Sequence, residues 1–184
     1  MRKTYLQFSI PTITQAEITE VVKVLKSGWL TTGKRAKLLE ERFADYIGCK
    51  HAVTVASGTA ALFLSLKVDG VGPGDEVITS PLTFISTANV VFHLGAKPVF
   101  ADIDGETFNI DPERMAEAVT PRTKALLPVH YSGQPCDMRA IQGIAREQRL
   151  RVVEDAAHAM GAEYRGGRKV GSMGNLLCLR SNNT

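Results

Sequence analysis

Val152-Val153-Glu154-Asp155-Ala156-Ala157-His158-Ala159 concentrates more chemistry than any other stretch of this 184-residue chain. Its β-branched start predicts a short strand that delivers an acid at its carboxyl end, with an imidazole three residues further on. In open parallel sheets that end of a strand is where ligands bind. A carboxyl fixed there can hold a protonated ring nitrogen, which a pyridinium cofactor requires. It can equally cap a helix, because Asp is a favoured N-cap and small residues follow it. On these residues alone both readings of Asp155 stay open.

Ser57-Gly58-Thr59 forms a second junction, between a predicted strand and a predicted helix. A helix start offers unpaired N–H groups and the positive end of the dipole, which suits a phosphate. Gly58 lets the backbone come close, and the hydroxyls of Ser57 and Thr59 add donors; a plain helix cap is the alternative. The Ser57-Gly58-Thr59 junction itself lies in neither a G-x-x-x-x-G-K nor a G-x-G-x-x-G pattern. Ser80-Pro81-Leu82-Thr83-Phe84 occupies the next strand-to-helix junction, where Phe84 either stacks on a planar ring or joins the core. Pro128-Val129-His130-Tyr131-Ser132-Gly133-Gln134 ends a further strand in a polar loop, and His158 is either a donor at the ligand face or a core histidine. Four junctions therefore bring phosphate donors, an aromatic, a polar loop and an acid to one rim.

The elements that must hold these residues alternate along the chain. Thr14-Gln15-Ala16-Glu17 reads as a capping box, followed at helical spacing by Ile18, Val21, Val22 and Leu25 and closed by Gly28. After the loop Trp29–Gly33, Leu38, Leu39, Phe43, Tyr46 and Ile47 mark one face of a second helix stopped by Gly48. Strands are expected at His51–Ala56, Glu76–Ser80, Lys97–Ala101, Lys124–Val129 and Arg151–Glu154. Helices are expected at Thr59–Val68, Thr83–Leu94 and Met138–Gln148, with another opened by Asp111 as N-cap acid and Pro112 at the first helical position. This rhythm predicts an α/β domain with a largely parallel sheet. The expected organisation is a helical arm over residues 1–50, a large domain over 51–178 and an aberrant tail over 179–184.

The chain is 44% hydrophobic and 22% charged with a net charge of +3, ordinary for a globular protein, and it shows no basic stripe of the nucleic-acid-binding kind. Cys49, Cys136 and Cys178 are far apart and odd in number, which argues against a disulfide framework or metal knuckle and fits a reducing cytoplasm. Gln7, Ser9 and Pro11 interrupt any secretory core after Arg2 and Lys3, and no apolar run reaches membrane-spanning length. The expected partners therefore exclude nucleic acid and membrane.

Taken together, Gly28-Trp29-Leu30-Thr31-Thr32-Gly33, Ser57-Gly58-Thr59-Ala60-Ala61-Leu62, Gly74-Asp75-Glu76-Val77-Ile78-Thr79, Pro98–Asp104, Pro121–Ala125, Pro128–Tyr131 and Glu154–Ala159 resemble, in order, the sugar aminotransferases of the DegT/DnrJ/EryC1/StrS family. Within it the chain is most similar to the UDP-4-amino-4-deoxy-L-arabinose aminotransferases and related enzymes of 4-amino-4,6-dideoxy sugars. The resemblance implies the large domain of a fold type I enzyme with a mostly parallel mixed sheet and pyridoxal 5'-phosphate as cofactor. It further implies a homodimer with shared sites, glutamate as amino donor and a nucleotide-linked 4-keto sugar as acceptor, in pathways such as lipopolysaccharide modification. By position, Gly58, Thr59 and the Ala60 amide would hold the phosphate, Phe84 would stack on the ring, Asp155 would pair with the ring nitrogen and His158 would lie near the ring hydroxyl. Thr31 and His130 would contact substrate.

Family members continue past the Gly-Asn pair with a Cys-Phe-Ser-Phe-like strand and then the lysine that forms the Schiff base. Here Cys178 is followed by Leu179-Arg180-Ser181-Asn182-Asn183-Thr184, with no lysine and no C-terminal domain. The family's 3-dehydratase branch, which carries His at the lysine position, and a non-catalytic fragment are the competing readings. General acid–base help of the kind that lysine gives is commonly worth ~10²–10⁴ in rate, and Lys169, after a Gly-Gly turn, reads as a solvated surface charge. The 184-residue polypeptide is therefore expected to be inactive and poorly soluble; a well-behaved sample that transaminates would overturn this.

Overall fold

The computed structural model describes residues 12–180; the stretch around Arg2–Pro11 and the last four residues of the expected tail lie outside the described residues. Helix α1 (Gln15–Ser27) begins as the capping box demands: Ala16 N donates to Thr14 Oγ at 3.2 Å, and Thr14 N donates to the Glu17 carboxyl at 2.6 Å. It ends at Gly28, whose φ of 70° is the left-handed cap. Helix α2 (Lys34–Ile47) follows. Then come α3 (Gly58–Val68), β1 (Glu76–Thr79), α4 (Ser86–His93), β2 (Lys97–Phe100), α5 (Pro112–Glu117), β3 (Thr123–Leu127), α6 (Met138–Gln148), β4 (Arg151–Asp155) and β5 (Leu176–Cys178).

The five described strands form one sheet in the order β2-β1-β3-β4-β5, and every pairing is parallel. Parallel sheets are covered on both faces, and β1 is buried at all four positions. Side chains alternate across the sheet. Val77 and Val153 join Leu62, Leu66, Val90 and Val91 under α3 and α4, whereas Ile78 and Val152 join Met115, Leu126, Ile141 and Tyr164 on the opposite face. All five carboxyl ends consequently lie along one border.

Two sequence expectations are corrected. His51–Ala56 forms no strand, so the sheet begins at Glu76. Its β-branched residues fit a pleat, but a strand exists only through a neighbour's ladder. Here Thr54 N and Oγ instead donate to the Glu40 carboxyl, both at 2.8 Å, and Val53 is 79% exposed. Helix α4 starts at Ser86 rather than Thr83, because Pro81 opens a turn in which Leu82 N donates to Ser80 Oγ at 3.1 Å. The apolar stripe of α1 forms as expected but covers nothing among the described residues: Ile18, Val21, Val22 and Leu25 are all exposed.

Leu126 sits in the central strand β3 with no exposed surface. Leu126→Ala should cost about 2–5 kcal/mol, read as a lower urea midpoint with an unchanged slope.

Candidate functional site

Asp155 is the last residue of β4 and is nearly buried, with its backbone stitched to two neighbours. Its N–H donates to Pro128 O and its carbonyl accepts from His130 N, at 2.9 and 3.0 Å, which draws the loop after β3 to this spot. On the other side Asp155 registers with Cys178 of β5. The side chain is held as well: Oδ2 accepts from Thr87 Oγ of α4 at 2.8 Å and Oδ1 from Ala157 N at 3.2 Å. Since the Thr87 hydroxyl hydrogen goes to Asp155, Thr83 must donate in the 2.8 Å contact between the two threonines. A Thr83–Thr87–Asp155 chain thus runs from the turn after β1 to the end of β4. The helix-capping reading of Asp155 is not realised, because turns and not a helix follow β4; the Ala157 N–H bond closes a turn and leaves lone pairs on both oxygens.

The start of α3 reaches the same border. Ser65 Oγ of α3 lies 3.4 Å from Cys178 Sγ, and a Cβ placed on Gly58 would sit 3.7 Å from the Arg180 side chain, two residues beyond the position opposite Asp155. The 57–59 turn and the Asp155 side chain are therefore on one rim. Ser57 acts as the N-cap, its Oγ accepting from Ala60 N at 3.1 Å. A phosphate using the Ala60 amide must displace that cap, whereas no described hydrogen bond uses Gly58 N or Thr59 N. Thr59 is exposed.

Phe84 is 66% exposed in the turn before α4, so it is no core residue and its ring is available at the rim. His158 is also exposed rather than a core histidine. Its loop is gripped by the loop after β3: Gly133, at φ 85°, approaches so closely that a Cβ there would lie 2.8 Å from His158 O.

Two sequence candidates are not brought to the rim. Thr31 lies in the exposed turn between α1 and α2, and no described hydrogen bond ties that turn to the strand ends. His130 turns inward and is 1% exposed. Cys136 N donates to its Nδ1 at 3.0 Å, so Nε2 carries the hydrogen donated to Glu154 Oε2 at 2.9 Å. Glu154, fully buried, also accepts from Tyr164 OH at 2.5 Å and from Asn175 Nδ2 at 2.7 Å. A carboxyl buried without partners would cost several kcal/mol, on the order of the penalties for unpaired interior charge; three donors compensate it. Burial, reinforced by the neighbouring Glu154 carboxyl, pushes the Tyr164 hydroxyl well above the usual phenol range and keeps it a donor.

Sequence reasoning overlooked Glu154 and Thr87. Alternation along a strand was the available signal for the first: two consecutive acids must face opposite sides. Lys169, expected to be a solvated charge, donates to Tyr46 O at 2.7 Å and lies 3.5 Å above the Tyr46 ring centre, which ties α2 to the 164–170 segment.

Residues 11–180 match the pattern of the DegT/DnrJ/EryC1/StrS aminotransferase family. The spore coat polysaccharide biosynthesis protein SpsC of Bacillus subtilis (strain 168) is 56% identical over 174 residues, which are 95% of this chain and 44% of that protein. The crystal structure of 3-amino-5-hydroxybenzoic acid synthase superposes with a TM-score of 0.90 at 41% identity, over 95% of this chain and 46% of that one. The PLP form of Spr1654 from Streptococcus pneumoniae, described as a sugar aminotransferase, gives 0.87 at 40% identity, over 91% and 46%. The chain thus spans less than half the length of these relatives.

Two of the three thiols lie beside this site. Burial, reinforced by Glu154, pushes Cys136 from its ordinary 9.0 up to about 12; burial does the same to Cys178, against the hydrogen bond from Ser65. Because the thiolate is the nucleophile, an alkylating reagent at about pH 8 should modify the half-buried Cys49 and spare the other two until the protein unfolds, as read by mass spectrometry. The folded state holds the two buried protons more tightly than the unfolded chain does. That stability is complete below pH 9.0 and is lost as pH climbs towards about 12, so the urea midpoint should fall over that window.

Proposed function

The chain belongs to the DegT/DnrJ/EryC1/StrS aminotransferase family, and from that membership we propose that the whole protein is a pyridoxal-phosphate-dependent transaminase moving an amino group from glutamate to C4 of a nucleotide-linked 4-keto sugar, with UDP-sugars favoured. The observation that carries the reading is the convergence of the α3 start, the Phe84 turn and the Asp155 carboxyl on one sheet border. The residues fit the cofactor. Gly58 N and Thr59 N are without described partners, an aromatic face is exposed, and a carboxyl with spare acceptor capacity stands between them. When bound, pyridoxal phosphate supplies the electron sink for the transfer.

In this proposal the Gly58 and Thr59 amides and the Thr59 hydroxyl bind the phosphate, with the α3 dipole behind them. Phe84 covers one face of the ring and excludes water from it. Asp155 holds the proton on the ring nitrogen, and Thr87, itself backed by Thr83, keeps that carboxyl from rotating. His158 lies at the ring hydroxyl. The proposed division assigns helices α1 and α2 to an arm over residues 1–50 and residues 51–178 to the large domain. The exposed stripe on α1 supports a homodimer, since contiguous apolar surface commonly marks an interface. Among the described residues no helix is long and apolar enough to cross a membrane. We place the protein in the cytoplasm, making sugars for surface polysaccharide.

The test is cofactor uptake by this chain, read as an absorbance change and as quenching of intrinsic fluorescence. Asp155→Asn keeps the shape but removes the charge, and should weaken uptake about tenfold or more, at least ~1.4 kcal/mol. Uptake undiminished in both Asp155→Asn and Thr59→Ala would remove the cofactor from this rim.

A further inference from the structure

The opposite border of the sheet has its own concavity. Where the amino ends of β3, β4 and β5 meet the end of α6 and the last turn of α3, a groove of about 850 Å³ opens. That volume lies in the range of small-molecule sites, about 300–1,000 Å³. Its walls carry Lys124, Arg146, Arg149 and Arg151, against a single carboxyl, Asp69. Among the described salt bridges only Arg151 pairs with that acid, at 3.8 Å, and none uses Lys124, Arg146 or Arg149, although Lys124 also acts on Asp69 electrostatically. Four cations and one acid leave three positive charges uncompensated around one depression.

Helix α6 explains part of this. Arg146 and Arg149 stand on or just past its last turn, where cations complement the dipole. Lys124 and Arg151 stand on β3 and β4, beyond the reach of that explanation. Arg149 also holds φ 55°, a left-handed cap that glycine would adopt without steric cost. With three guanidinium forks and one ammonium, the donor set matches the geometry of phosphate oxygens rather than that of an apolar ligand.

We propose that this groove binds an oligophosphate anion, a molecule with two or more linked phosphates, at a site separate from the cofactor rim. A lone phosphate satisfies one guanidinium fork; a linked chain reaches several cations at once. The chain's modest net charge of +3 and scattered basic residues favour a small anion over a nucleic-acid strand.

The experiment titrates the 184-residue chain with pyrophosphate and, in parallel, with a nucleoside diphosphate, by calorimetry at low and raised salt. Saturable binding of either that weakens with salt is expected. Arg146→Gln with Arg149→Gln should lower the affinity about tenfold, whereas Lys23→Gln with Lys37→Gln, on α1 and α2, should leave it unchanged. Tighter binding of the nucleoside diphosphate identifies the nucleoside as part of the ligand; equal binding identifies the phosphate chain alone. Should the arginine pair fail to fold by circular dichroism, Lys124→Gln with Arg151→Gln carries the same test. Absence of saturable binding, equal losses in the distant lysine pair, or a loss confined to Thr59→Ala would overturn the proposal.

Discussion

Two consecutive carboxyls end β4, and the pleat sends them to opposite faces of the sheet. Glu154 goes into the interior, where His130, Tyr164 and Asn175 donate to it; Asp155 goes to the rim, where Thr87 and Ala157 N do. A one-residue slip of β4 would exchange them. The rim acid would lose its threonine, and the interior would receive a carboxyl without its donors. Because an unsatisfied buried polar group costs more than a satisfied one gains, the Glu154 network fixes the register that places Asp155. His130 comes from the loop after β3, and Tyr164 and Asn175 from the 164–175 segment, so the same network binds both to the strand end.

The rim also illustrates why capping and ligand-binding signals coincide. Helix starts and strand ends leave backbone donors and acceptors without partners, and the residues that satisfy them locally are those able to hold a ligand. At α3 the two uses compete, since Ser57 already takes the Ala60 amide and leaves only Gly58 N and Thr59 N for a phosphate. At Asp155 they do not compete. Each oxygen accepts one internal hydrogen bond and retains a lone pair, so Thr87 and the Ala157 turn orient the group without consuming it.

Legibility in the sequence followed local signal strength. Helix α6 spans Met138–Gln148 as read, because Asp137 caps it and its apolar period is regular; α5 likewise begins at Pro112 with Asp111 as its N-cap. The parallel sheet was legible from its alternation with helices, and the sharing of one border by Asp155, Gly58 and Phe84 from their successive junctions. What escaped was non-local. Thr87 matters only because the start of α4 reaches the end of β4 through one side-chain bond, and Glu154 only because Tyr164 and Asn175 fold back over it. His130 reads as a rim residue from its loop; its backbone is indeed there, hydrogen-bonded to Asp155 O, while its ring is turned inward by the Cys136 amide.

The reading of His51–Ala56 as a strand fails for a reason that also bears on α1. β-propensity measures how well a residue fits a packed, half-covered surface, not an intrinsic backbone choice. Val53 and Val55 have that chemistry but no ladder among the described residues, and Glu40 supplies the only described hydrogen bonds to Thr54. Ile18, Val21, Val22 and Leu25 are likewise spaced for burial and lie open. Burial of such residues is worth about 25 cal/mol per Å², so each segment gains substantially from any surface that covers it. None of these residues belongs to either of the two cores, so covering them adds stability outside those cores. The register of β4 does not depend on it.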